Sequence, residues 1–152
     1  MTQLEYLLDT LEYYSVDPEK RRSFILIEPG RQSCKYAPVK ETSEGCAIGR
    51  KLIGTTEQKQ AWDKSYASYM GIVGTYLGPI NDVVDIRPEW MKDMSMNFLQ
   101  ELQRFHDNKS NWADVGLTRE GKYNLKSILE EYAIPVGPFE KYLSNNVNPV
   151  CL

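Results

Sequence analysis

Apolar positions along this chain predict helices and one short strand, and one stretch is ambiguous between the two. Leu4, Leu7, Leu8, Leu11 and Tyr14 fall at helical spacing, with Glu5, Asp9 and Glu12 on the other side. Thr2 is placed to cap the helix they predict. Asp17-Pro18 starts a turn or short helical segment. Phe24 to Ile27 is a short apolar, β-branched run closed by Pro29-Gly30 and reads as a strand, with Ser33 to Ala37 able to pair with it. Pro38 to Gly45 is a polar loop. Cys46 to Ile53 fits a short helix after Gly45 and fits a strand nearly as well.

Thr56 opens a firmer helical pattern through Trp62, Tyr66, Tyr69, Met70 and Val73, which Gly71, Gly74, Gly78 and Pro79 then loosen. Val83 to Ile86 reads as a strand or a buried loop, and Pro88 suits the first position of a short helix through Met94. Ser95 or Asp93 can cap a helix carrying Leu99, Leu102, Phe105 and His106, ended by Asn108. Thr118 caps another with Leu125, Ile128, Leu129 and Tyr132; Pro135 and Pro138 break it, and Phe139 to Leu143 forms a last turn. The pattern predicts one α+β domain over 1–152, with four to five helices packed on a small two- or three-stranded antiparallel sheet. Residues 144–152 read as a loosely held tail.

Composition changes this picture little. The chain has 152 residues, 41% hydrophobic and 26% charged, which is ordinary for a globular domain able to bury a core without staples. Charge placement says more. Between Lys20 and Lys51 eight basic residues face three acids, so this span carries +5 and the rest of the chain −8. A net charge of −3 gives no bulk attraction to nucleic acid or anionic membrane. No apolar run approaches the roughly 20 residues of a membrane span, the first residues lack the basic start of a signal peptide, and Cys151 is misplaced for prenylation. Three cysteines, an odd number, do not make a disulfide framework, so the expected location is cytoplasmic with reduced thiols.

Candidate chemistry gathers around Cys34 to Leu52 and the single histidine, His106. If Gly45-Cys46 opens a helix, its dipole favours the Cys46 thiolate and His106 can act as base, as in Cys/His hydrolases and transferases. Asp107, about 100° round the helix from its neighbour, is a poor third member, and Gln103, one turn earlier, is the better orienting group. The plain structural reading weighs more: cysteine is among the most buried residue types, and His106 lies on the apolar side of its helix. A zinc site from Cys34, Cys46 and His106 with Asp107 or Cys151 lacks the close cysteine pairs of structural zinc. A Cys34–Cys46 disulfide runs against the reducing compartment. No metal and no cofactor is expected. Arg31, Lys35, Arg50 and Lys51 surround the motif and suit an anionic ligand, with Tyr36 able to stack on a base; the alternative is a solvated basic face.

Cys34-x-Tyr36, then Gly45-Cys46-Ala47-Ile48-Gly49, then Leu102-Gln103-x-x-His106-Asp107 resembles a signature of uncharacterised small bacterial and phage proteins. The resemblance covers about a fifth of the chain in three ordered pieces, with a longer insert before the third. It implies a phage- or mobile-element-encoded protein in a host cytoplasm and supplies no activity. The expected function is therefore a small binding protein that sequesters a nucleotide-like anion or occupies a host protein, in the setting of inhibited host defence. A Cys46/His106 enzyme and a structural or assembly protein are the alternatives, and a homo-oligomer is compatible with all three.

Overall fold

The N-cap expected at Thr2 forms in the computed structural model, as a full capping box. Thr2 Oγ1 accepts the Glu5 amide at 3.1 Å, and the Glu5 carboxylate accepts the Thr2 amide at 2.9 Å, starting α1 (Gln3–Tyr14). The structure describes residues 1–22, 24–28, 31–38, 44–69 and 84–144, with the backbone alone for 24–28, 31–34 and 65–69. Expectations placed on Gly71 to Pro79, on Val83, on most of the 38–45 loop and on the tail beyond Ser144 lie outside these residues.

α1 buries Tyr6, Leu7, Thr10, Leu11 and Tyr14. α2 (Pro18–Arg21) follows, capped by Asp17 with proline in its first turn. The backbone then makes an antiparallel hairpin of β1 (Phe24–Glu28) and β2 (Arg31–Cys34), with an irregularity between Leu26 and Glu28. α3 (Thr56–Tyr69) is capped by Thr55 rather than Thr56: Thr55 Oγ1 accepts the Gln58 amide and Gln58 Oε1 accepts the Thr55 amide. Residues 84–88 form no strand, and α4 (Glu89–Lys92) takes Pro88 just before its first turn. α5 (Met96–Asp107) is capped by Ser95, α6 (Arg119–Glu131) by Thr118, and α7 (Glu140–Leu143) closes the described chain.

The α+β expectation is corrected. The fold is helical, with seven α-helices among the described residues and no sheet on which they pack; β1 and β2 pair only with each other. The β-branched run at Phe24 to Ile27 has local strand propensity, but a two-stranded hairpin offers too little surface to cover a layer of helices. The helices instead bury their apolar stripes on one another and on the 46–52 loop. One cluster joins Tyr6, Leu11 and Tyr14 of α1, Ala47 and Ile48 of that loop, Trp62 of α3, Phe98 and Leu102 of α5, and Leu125 of α6.

Candidate functional site

Cys46 to Ile53, expected as a short helix or a strand, is neither an α-helix nor a strand. Cys46 to Ile48 turns into a single 3₁₀ turn over Gly49–Lys51, and its shape is set by partners far away in sequence. The Tyr6 hydroxyl donates to the Ala47 carbonyl and the Tyr14 hydroxyl to the Gly45 carbonyl, both at 2.7 Å. The Cys46 amide donates to the Lys35 carbonyl at 2.9 Å. Gly45, at φ +108°, and Gly49 lie against the Tyr36 backbone; a Cβ on Gly49 would stand 2.2 Å from the Tyr36 carbonyl oxygen. Cys-x-Tyr and Cys-Ala-Ile-Gly are thus two sides of one backbone-to-backbone joint.

The third piece of the signature seals this joint from below. Gln103 Oε1 accepts the Ile48 amide at 3.2 Å, and its Nε2 donates to Asp107 Oδ1 at 2.9 Å. The same Asp107 oxygen lies 2.9 Å from His106 Nδ1, so Asp107 orients the imidazole after all and Gln103 acts on Asp107. The 100° argument fails because Asp107 is the last residue of α5, where its side chain can fold back toward its neighbour. The His106 ring packs edge-on against Tyr14, with centroids 4.6 Å apart. Arg22, which sequence reasoning passed over, donates to the His106 carbonyl at 2.7 Å and the Asp107 carbonyl at 2.6 Å, satisfying the end of α5.

Cys46 and His106 are both fully buried, and no hydrogen bond joins them. The Cys46 sulfur accepts the Gly49 amide at 3.4 Å. A substrate could reach neither group without opening the joint. Among the described residues no group of three His, Cys, Asp or Glu side chains could hold a metal ion. No described helix is long and apolar enough to cross a membrane.

Among the described residues the basic side chains do not converge on one site. Arg50 and Lys51 both turn to Asp9 of α1, with Arg50 ion-paired to its carboxylate and Lys51 at 3.0 Å; Arg50 also lies 4.3 Å over the Tyr13 ring. Tyr36 is wholly buried, edge-on to Trp62, and so cannot stack on a base. The Arg31 and Cys34 side chains lie outside the described residues. Lys35 stands apart from these, lining a cleft of about 530 Å³ between the 35–38 segment and α3 together with Lys64, Glu57 and Gln60. Asp63, at the back of this cleft, accepts the Tyr36 amide at 2.7 Å and the Ala37 amide at 3.2 Å. Burial nevertheless pushes its carboxyl up, against those two hydrogen bonds and nearby Lys35. Neither Asp63 nor Lys64 carried a motif signal, since each reads as a surface charge on a polar helix.

Burial is the largest cause holding His106 below the usual imidazole range; Asp107 opposes it, and the Arg22 and Arg50 charges add to it. With the proton on Nδ1 toward Asp107, Nε2 is a buried atom with no partner among the described residues. The unfolded chain, with an imidazole near about 6.5, binds a proton before the folded one does. Stability from this group is full above that value and is lost as pH falls through the lower folded-state value. Urea unfolding at about pH 7.5 and about pH 5 is expected to differ by up to ~2 kcal/mol, one proton over the roughly 1.5 units below 6.5. His106→Gln should remove that difference and leave any contribution of Asp63, whose raised carboxyl weakens the fold as pH rises. A pH dependence unchanged by His106→Gln would contradict the assignment.

No family model, curated protein or solved structure matches the chain.

Proposed function

We propose that the protein is a small binding protein that takes a nucleotide-like anion in the cleft between the 35–38 segment and α3. The observation that carries this reading is that cleft itself: about 530 Å³, with Lys35 and Lys64 among its lining residues. The volume falls within the roughly 300–1,000 Å³ of small-molecule sites. The lysines supply point charges for a phosphate. Asp63 has spent its oxygens on backbone amides, and Glu57 and Gln60 offer polar groups to a base edge. The signature joint supports the site from behind, because Lys35 is held through its carbonyl to Cys46 and Tyr36 through its amide to Asp63. On the resemblance of that signature, the setting is a host cell in which a phage-encoded protein sequesters the ligand.

A thermal-shift screen against inorganic phosphate and mono-, di- and cyclic nucleotides tests this. Ligand at about 100 times its Kd adds about 2.7 kcal/mol to the native state. For a chain of this size that raises Tm by roughly 5–10 °C. Lys35→Ala combined with Lys64→Ala should abolish the shift, whereas Arg50→Ala, whose partner is Asp9, should lower the starting Tm and keep the shift. A flat panel, or a double variant that still responds, would overturn the reading.

A further inference from the structure

A second cleft, between α5 and α6, has the opposite character. Its volume is about 220 Å³, smaller than a cofactor site and suited to a single side chain. Phe105 and Ile128, both buried, give it an apolar floor. Asn111 is fixed on its wall, donating to the Phe105 carbonyl at 3.0 Å and accepting from Asn124 Nδ2 at 2.7 Å. That contact commits the Asn124 nitrogen and leaves its carbonyl oxygen as an acceptor with no partner among the described residues. Glu131, at the last turn of α6, has no hydrogen bond or ion pair among those residues. Across from it Glu101 holds Arg104 at 3.2 Å, with 73% of the Arg104 side chain exposed. Glu101 and Glu131 both line the cleft, one from α5 and one from α6. The cleft also lies in the part of the chain that carries −8.

We propose that this cleft receives an arginine side chain of a partner protein, its guanidinium set between Glu131 and Glu101 and its methylenes on Phe105 and Ile128. A guanidinium presents five N–H donors in a planar fork, which two carboxylates and an amide oxygen can share. The loosely held Arg104 gives way to it at Glu101. The proposal stands apart from the anion cleft and needs nothing from it.

The test is an NMR titration of the ¹⁵N-labelled full chain with three probes: end-blocked Gly-Arg-Gly, the same peptide with citrulline in place of arginine, and spermidine. The arginine peptide should shift amides within 101–108 and 124–131. Citrulline, equal in shape but uncharged, should bind at least about tenfold more weakly, the scale of one lost charge-assisted contact. Glu131→Gln, at an exposed position, should weaken the arginine peptide by a similar factor without changing the fold. Equal binding of citrulline, an unchanged Glu131→Gln, or shifts absent from those segments would overturn the proposal. Spermidine binding as tightly as the peptide would do so too, by making the occupant a free polyamine.

Discussion

Gly49→Ala is expected to leave the protein unfolded, or without a cooperative transition, at room temperature. The added methyl carbon would lie 2.2 Å from the Tyr36 carbonyl oxygen and 2.5 Å from its Cα, and both of these are backbone atoms. Neither can swing aside as a side chain would. The Tyr36 backbone is pinned on its other side by the Asp63 carboxylate, and the Gly49 turn is pinned by Tyr6, Tyr14 and Gln103. Relief therefore requires separating the joint, which breaks several buried hydrogen bonds at about 1 kcal/mol each and opens the core around Ile48. A loss of about 4 kcal/mol or more is expected, a large share of the roughly 5–15 kcal/mol that holds a domain together. Gly137→Ala is the control: a Cβ there meets nothing within 4 Å, so stability should change by about 1 kcal/mol or less. Circular dichroism with urea titration reads both. A Gly49→Ala protein as stable as wild type would mean that the joint is not packed as described.

Much of this architecture was legible in the sequence, for local reasons. α1, α5 and α6 show their apolar stripes, and the caps at Thr2, Ser95 and Thr118 sit within three residues of the amides they satisfy. What was not legible depends on distant partners. The 45–53 stretch reads as helix or strand and is neither, because its shape comes from hydroxyls 31 and 41 residues earlier and an amide 55 residues later. The charge sum over Lys20–Lys51 counts cations but not where they go. Arg21 reaches the Tyr13 carbonyl, Arg22 ends α5, and Arg50 and Lys51 share Asp9, so four of the eight basic residues are spent on partners within the fold. The strand at Phe24 was readable from β-branching, yet no local signal says whether helices will cover a strand. Asp63 and Lys64 were not legible as cleft residues because the cleft they line is made only when Tyr36 and Ala37 dock on α3.

Cys46, Gln103 and His106 are buried in one joint, which holds the Lys35 carbonyl through the Cys46 amide. Thiol alkylation with peptide mapping, which separates Cys46 from the other two cysteines, tests it most directly. With Cys46 fully buried, modification in the native protein has to wait for unfolding. Its rate should therefore be slower than in denaturant by at least about a thousandfold, the lower bound set by the folding equilibrium of a stable domain. His106→Gln should not slow it further. Native Cys46 reacting within about tenfold of its rate in the unfolded chain, and slowing when His106 is replaced, would contradict the account and make the pair an exposed, activated thiol.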